Sequence, residues 1–439
     1  MTGPSLVPPA GPPQPFDVCG PLPRGVTVLE ASAGTGKTFT IAALAARYVA
    51  DGVPLERLML VTFTRMATGE LRERVRSRLV SAELGLANIL TGKAGAGDDE
   101  VLRHLAEASP DVVGERRRLL AAALADFDAA TIDTTHGFCQ RILSGLGVAG
   151  DVEPDLTFVE DLSDLVEEVV DDLYVLRFFR DGAPPFGRKE ALAIAAAAID
   201  HPLAVVEPEA AAYETAWAMR RRFALKVRQE VEVRKRRARV ITYDDLLTRL
   251  AGAVSDTSAR GEAACRRLRE RYQVALVDEF QDTDPIQWKV MRRAFAESDE
   301  ATLVLIGDPK QAIYSFRGAD VYAYLDAARI AGTHATLGVN WRSDQGLVTA
   351  YDALFAGSRL GHPDIAYTKV RAAGAHQSSR LTGAPRPAPL RARVVHREDG
   401  VARTREGYVQ VNAGRRRVAE DVAADLVALL SAGAELVRP

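Results

Sequence analysis

Short apolar runs in this chain alternate with longer stretches of helical periodicity. Val26, Val28 and Leu29 form the first apolar run, and Phe39 to Ala46 open a helix-forming segment that continues to Val49. Leu58 to Phe63 follows as a buried parallel strand, then a polar turn at Thr64-Arg65 and a helix from Ala67 to about Ala82. Strand, helix, strand, helix at this spacing predicts the βαβ units of a doubly wound α/β sheet. Residues 91–99 read as a loop. A helical stretch then reaches about Asp126, interrupted near Ser109-Pro110, and a short element at 130–136 leads into Gly137 to Leu143.

Between about 145 and 240 the strand pattern is missing. Helical stretches at 161–180, 189–199 and 207–236 predict an all-helical insertion, ended by the basic run Arg234-Lys235-Arg236-Arg237. Basic residues suit the negative end of a helix dipole, so a solvated helix end and a nucleic-acid contact both fit that run. Sheet-type sequence returns at Val274 to Glu279 and at Ala301 to Asp308. A helix is expected over Leu347 to Phe355, a mobile stretch over 371–390, weak strands at 390–396 and 407–411, and a helix over 418–431. The pattern divides the chain into a flexible leader (1–22), a core domain in two parts (23–144 and 241–345), the insertion (145–240) and the start of a further, incomplete domain (346–439). A new apolar run opens at Leu436-Val437 and stops, which reads as an interruption.

The turn after the first strand carries the first chemistry. Ala31-Ser32-Ala33-Gly34-Thr35-Gly36-Lys37-Thr38 lies between an apolar strand and a helix, the context a phosphate-binding loop requires. Ala31 takes the place of the usual first glycine. Successive backbone amides at a helix N-terminus form an anion-binding nest. Lys37 brings a mobile positive charge to the β- and γ-phosphates, and the Thr38 hydroxyl is a ligand for magnesium. Asp278-Glu279 ends the apolar strand at 274–277 and supplies the other half of an ATP site. Asp278 suits Mg²⁺, and Glu279 suits orienting and deprotonating a water. Gln311 both donates and accepts, as a γ-phosphate sensor must. Tyr314, Phe316 and Arg317 cluster in a way that suits stacking on unpaired bases, and equally suits a core.

Composition changes this picture little. The 439 residues are enough for two or three domains, and 47% hydrophobic with 26% charged is globular. The formal charge of -3 neither requires nor excludes nucleic acid. Cys19, Cys139 and Cys265 make no CxxC pair, which argues against a disulfide framework or zinc site and fits a reducing cytoplasm. No apolar stretch approaches the roughly 20 residues of a membrane span, so no membrane partner is expected.

Six separated blocks keep one order: the phosphate loop, Val61-Thr62-Phe63-Thr64, Thr135 to Arg141, Asp278 to Asp284, 307–320 and Asn340-Trp341-Arg342-Ser343. That order resembles the superfamily 1A (UvrD/Rep-like) DNA helicases, and within them the RecB-like branch. The resemblance implies a RecA-like P-loop core with a helical subdomain inserted, ATP and Mg²⁺ as ligands, and coupling of hydrolysis to translocation on single-stranded DNA in break repair. It implies that Arg342 reaches the γ-phosphate, that Trp341 stacks on adenine, and that Gln281 couples the nucleotide site to DNA. It also implies that Phe63, Thr64, Arg65, His136, Tyr314, Phe316 and Arg317 lie on or near the DNA path; Arg65 departs from the residue many relatives carry. Implied partners are single- and double-stranded DNA ends and RecC-like and RecD-like subunits. No later motif of a second core domain and no nuclease carboxylates are found, so the expectation is a motor part that neither unwinds nor cuts DNA alone. The alternative is a truncated, non-catalytic interaction module with a relic ATP site.

Overall fold

The computed structural model describes residues 13–146, 157–159, 161–178, 184–201, 204–208, 215–314, 319–396 and 399–437. Strand β1 (Gln14–Pro15) precedes β2 (Val26–Glu30), which runs through the Gly-rich turn into α1 (Lys37–Ala50). Next come β3 (Leu58–Thr62), α2 (Arg65–Leu90), α3 (Glu100–Ala106), α4 (Pro110–Ala125), β4 (Thr131–Thr134) and α5 (Thr135–Leu146). A helical stretch holds α6 (Ser163–Phe178), α7 (Arg188–Asp200) and α8 (Ala216–Ala238), bracketed by β5 (Thr157–Phe158) and β6 (Val240–Ile241). Helices α9 (Tyr243–Ser255) and α10 (Ala259–Arg271) lead back to β7 (Val274–Val277), α11 (Pro285–Met291), β8 (Thr302–Gly307), α12 (Val321–Ile330) and β9 (Thr333–Thr336). The last elements are β10 (Val339–Asn340), α13 (Gln345–Phe355), β11 (Arg371–Ala372), β12 (Leu381–Thr382), α14 (Val411–Ser431) and β13 (Glu435–Leu436).

Seven strands form one sheet in the order β1-β9-β2-β8-β7-β3-β4. Strand β3 runs parallel to both β4 and β7, with Leu60 opposite Ile132 and Leu276, and β7 runs parallel to β8. Every residue of β3 and β7 is buried, which is why these strands read as continuous apolar runs and not as alternating ones. Parallel pairing brings the C-terminal ends of β3, β4, β7 and β8 to one edge, where loops of such sheets carry function.

The chain divides into two compact units. One holds Asp17–Leu29 and Thr38–His334; the other holds Pro13–Phe16, Glu30–Lys37 and Ala335–Pro439. In the first, α6, α7 and α8 enclose their own core of Val169, Val170, Phe178, Phe186, Ala191, Ala195, Phe223, Val227 and Val231. Phe186 meets Phe178 and Phe223 edge-on at 5.3 and 5.5 Å, the preferred aromatic arrangement. Arg234 donates to Glu168, Asp172 and Glu230, and Lys235 pairs with Glu232 and Asp245. These two members of the basic run are therefore spent on carboxylates of the same unit. In the second unit β10 runs parallel to β11, and β12 pairs antiparallel with β13. Helix α14 buries none of its residues.

Several expected boundaries move. Helix α2 runs to Leu90, beyond the expected end, because Leu71, Val75, Leu79, Ala82 and Leu86 continue one buried stripe. Helix α8 begins at Ala216, where Thr215 caps it, later than the expected 207. Residues 390–396 carry no strand, and 407–411 supplies only an isolated bridge between Arg403 and Val409. Helix α14 begins at Val411, earlier than 418. Helices α9, α10 and α12 and strand β9 occupy stretches where the pattern predicted nothing. The leader's first twelve residues lie outside the described residues.

Candidate functional site

In the first unit the shared sheet edge collects most of the polar candidates. Phe63 follows β3, and Thr64 caps α2 by accepting the Ala67 N–H at 3.1 Å. Arg65 is exposed as the first residue of that helix. Phe63 stacks on Tyr314 at 5.3 Å with an interplanar angle of 29°. The fold thus joins two of the residues expected on or near the DNA path, although 251 positions separate them in the chain. Phe316, Arg317 and the His136 side chain lie outside the described residues.

The block after β4 is built tightly. A Cβ on Gly137 would stand 2.1 Å from the Asp133 carboxylate, which would have to move to admit it. Arg141 closes on that carboxylate at 3.1 Å. Phe138 and Cys139 are core residues, and burial pushes the Cys139 thiol far up from its ordinary range.

The acidic pair emerges from β7. Asp278 Oδ1 accepts the Glu279 N–H at 2.9 Å. Glu279 sits in the left-handed region at φ 50°, rare for a residue with a Cβ. Such strain persists only where the surroundings hold it, and it clusters at functional sites. The holder is Gln281, which is 2% exposed. Its Nε2 donates to Glu279 Oε2 at 2.8 Å, and its Oε1 accepts the Asp308 N–H at 2.9 Å. Gln281 thereby ties the ends of β7 and β8 together. Gly307 leaves room for it, since a Cβ there would meet Gln281 Oε1 at 2.6 Å. Asp308 is a second hub, accepting from Gln311 Nε2 at 2.6 Å and pairing with Lys310 Nζ at 2.7 Å. The sequence marks Asp308, like Asp278, as the acidic end of an apolar strand but assigns it no role.

The second unit carries the phosphate loop as far as Lys37, and Thr38 opens the next segment of the first. Gly34 and Gly36 adopt φ of +80° and +90°, conformations glycine reaches without a Cβ penalty. Thr35 is buried, and its N–H and hydroxyl both donate to Ser32 O, at 3.2 and 2.7 Å. Ala31 is fully buried, which a methyl group at the usual glycine position allows. Ser32, Lys37 and Thr38 are half-buried, and Ala33 is exposed. Lys37 and Thr38 open α1, so the helix N-terminus follows the loop directly. The Trp341 N–H donates to Gly34 O at 2.7 Å, and the Trp341 side chain is 61% exposed. Arg342 approaches the loop so closely that a Cβ on Gly34 would stand 2.7 Å from its own Cβ. The buried Glu30 carboxylate accepts the Thr368 hydroxyl at 2.9 Å. No helix among the described residues is long and apolar enough to cross a membrane.

Each taken by itself, the glycine-shaped loop with its lysine ahead of a helix N-terminus offers groups that a phosphate takes, and the carboxylate at the end of β7 offers oxygens that a hard cation takes. Residues 17–330 match the UvrD/REP helicase N-terminal domain. The chain is similar to RecBCD enzyme subunit RecB of Mycolicibacterium smegmatis, 47% identical over 95% of this chain and 37% of that protein. It is also similar to RecBCD enzyme subunit RecB of Escherichia coli, at 28% over 82% of this chain and 40% of that protein. The ATP-dependent DNA helicase UvrD2 of Mycobacterium bovis is 29% identical over 84% of this chain and 45% of that protein. The chain therefore spans less than half the length of these relatives. With the parallel sheet, the glycine-shaped loop and the acidic strand ends all inside or beside the matched residues, the chain belongs to the UvrD/REP helicase N-terminal domain family.

Proposed function

We propose that this chain is the ATP-binding motor part of a RecB-like ATP-dependent DNA helicase, in which hydrolysis of ATP to ADP and phosphate drives movement along single-stranded DNA during break repair and recombination. Residues 31–38 bind the phosphates through backbone amides, with Lys37 neutralising charge on the β- and γ-phosphates. Thr38 and Asp278 hold Mg²⁺, which neutralises developing charge when bound. Glu279 orients the attacking water and takes its proton, while Gln311 and Arg342 answer to the γ-phosphate. Trp341 stacks on the adenine. Phe63, Thr64, Arg65, His136, Tyr314, Phe316 and Arg317 serve the DNA path. RecC-like and RecD-like subunits are the proposed partners and DNA ends the substrate, in the cytoplasm, for a protein of the relatives' full length.

The observation that carries this reading is the left-handed Glu279 held by Gln281, which is itself bonded to the Asp308 backbone. Gln281 thus links the proposed water activator to the strand end whose following loop contributes Tyr314, the partner of Phe63. A link from nucleotide chemistry to the residues proposed for the DNA path is what a DNA-driven motor needs and an interaction module with a relic site does not.

The test is hydrolysis of ATP by the purified chain with magnesium, with and without single-stranded DNA, beside Lys37→Ala and Glu279→Gln. DNA-stimulated hydrolysis, removed by Lys37→Ala and slowed without loss of binding by Glu279→Gln, supports the motor reading. ATP binding without any DNA response identifies a relic site in an interaction module. A wild-type chain that binds no nucleotide overturns the proposal.

A further inference from the structure

The phosphate loop does not hold its shape alone. Two consecutive carbonyls on its outer side are taken by one segment 307 residues further along: Asn340 Nδ2 donates to Ala33 O at 3.0 Å, and the Trp341 N–H donates to Gly34 O at 2.7 Å. A planar trans peptide directs its C=O and N–H to opposite sides. Pinning Ala33 O therefore turns the Gly34 N–H to the other face, the orientation an anion-binding nest needs. An inward carbonyl would present a negative dipole to a phosphate.

Asn340 is built for this task. It is 8% exposed, and its backbone is anchored in the β10–β11 pair, where its own carbonyl accepts the Ala373 N–H at 2.9 Å. Its Oδ1 accepts the Arg342 N–H at 2.9 Å and the Ser343 N–H at 2.8 Å. Two facing N–H groups and one facing carbonyl permit a single orientation of the amide, with oxygen toward 342–343 and nitrogen toward the loop. One side chain thereby sets both the loop's peptide and the backbone that carries Arg342. Behind it, Arg380 Nη2 donates to Arg342 O at 2.6 Å and pairs with Asp344.

We propose that Asn340 is a positioning residue of the phosphate loop, holding the Ala33–Gly34 peptide in its anion-binding orientation and locking Arg342 to the loop as one hydrogen-bonded piece. This rests on the ATP reading above. Asn340→Asp is the sharp test, because the isosteric carboxylate keeps the acceptor half and loses the donor to Ala33 O. Its charge also stands beside the bound phosphates.

The measurement is equilibrium binding of a fluorescent ATP analogue to the full chain with magnesium, across pH, with circular dichroism to check folding. Asn340→Asp is expected to weaken binding ~10-fold or more at about pH 8. The ratio to wild type should shrink toward about pH 5.5, where burial, the facing Ala33 carbonyl and the neighbouring phosphates raise that carboxyl against the 342 and 343 N–H groups that lower it, and the protonated form donates again. A purely structural defect would show no such acid rescue. Binding within about twofold of wild type at every pH, or a loss that acid does not reverse, overturns the proposal. If Asn340→Asp does not fold, Asn340→Ser decides: its hydroxyl still accepts from 342 but is too short for Ala33 O. A loss of ~10-fold or more supports the proposal and binding near wild type overturns it. A wild-type chain that binds no nucleotide at all refutes the ATP reading itself, and this inference with it.

Discussion

The phosphate loop and the acidic turn after β7 are both short connections leaving the C-terminal end of a strand, yet they are held by opposite means. The loop is shaped through its own backbone: two positive-φ glycines, and carbonyls of Ser32, Ala33 and Gly34 taken by donors of Thr35, Asn340 and Trp341. The acidic turn is shaped by a side chain, with Gln281 clamping a left-handed Glu279 against the end of β8. Within the loop itself such a shape tolerates variation in side chains but not a Cβ on its glycines. A side-chain clamp behaves in the reverse manner. That difference makes each region breakable by its own kind of substitution.

The largest effect is expected from Gly34→Ala. A non-glycine residue at φ +80° costs about 1–2 kcal/mol, and the new Cβ would stand 2.7 Å from Arg342 Cβ and 3.0 Å from Asn340 Oδ1. With overpacking added, destabilisation of about 2–4 kcal/mol is expected in urea unfolding. A loss under about half a kilocalorie would show that the loop does not depend on its glycine. Next comes Gln281→Ala, which leaves the buried Asp308 N–H without its acceptor and releases Glu279; about 1–3 kcal/mol is expected in the same measurement. Equal costs for Gln281→Ala and Gly34→Ala would weaken the contrast between clamp and backbone.

Thr35→Val comes third. It deletes the hydroxyl bond to Ser32 O while keeping shape, with an expected loss of about 1 kcal/mol. A larger loss would mean that a side chain, not backbone, carries the loop. The smallest effect is an acid one at Asp344. Burial pushes its carboxyl up, but the Arg380 N–H and guanidinium outweigh that and leave it below the usual Asp range. A folded-state value below the unfolded one gives stability that is present above the unfolded pKa and lost as pH falls through the folded one. Unfolding of wild type and Asp344→Asn should therefore converge as the solution is acidified below about pH 4. Curves that stay parallel would deny the pair any part in supporting Arg342.

Much of the architecture was legible because it is local. Buried parallel strands such as Leu58–Thr62 announce themselves as apolar runs, and the loop at 31–38 by spacing alone. The break near Ser109-Pro110 falls where α4 begins with proline at its first turn. What stayed illegible needed a partner. The apolar positions of α6–α8 and of α14 carry comparable helical periodicity, but the first three bury a shared core and α14 buries nothing. Periodicity declares a face without saying whether anything covers it. The basic run at 234–237 fitted a helix end and a nucleic-acid contact equally, until Arg234 met Glu168, Asp172 and Glu230.

The sequence by itself determined the α/β class, the phosphate loop, the acidic strand end and the family resemblance. Each block behind these depends on conformational preferences and spacings within about ten consecutive residues, and the class and the resemblance on the order in which such blocks follow, which any chain displays before it folds. Only the tertiary structure decided who holds these pieces in place. Gln281 is bound to Asp308, Phe63 to Tyr314 and Asn340 to Ala33 by hydrogen bonds and ring stacking between segments far apart in sequence. Such contacts have no local signature, because they form only when the sheet has brought its strand ends to one edge and β10 has paired with β11.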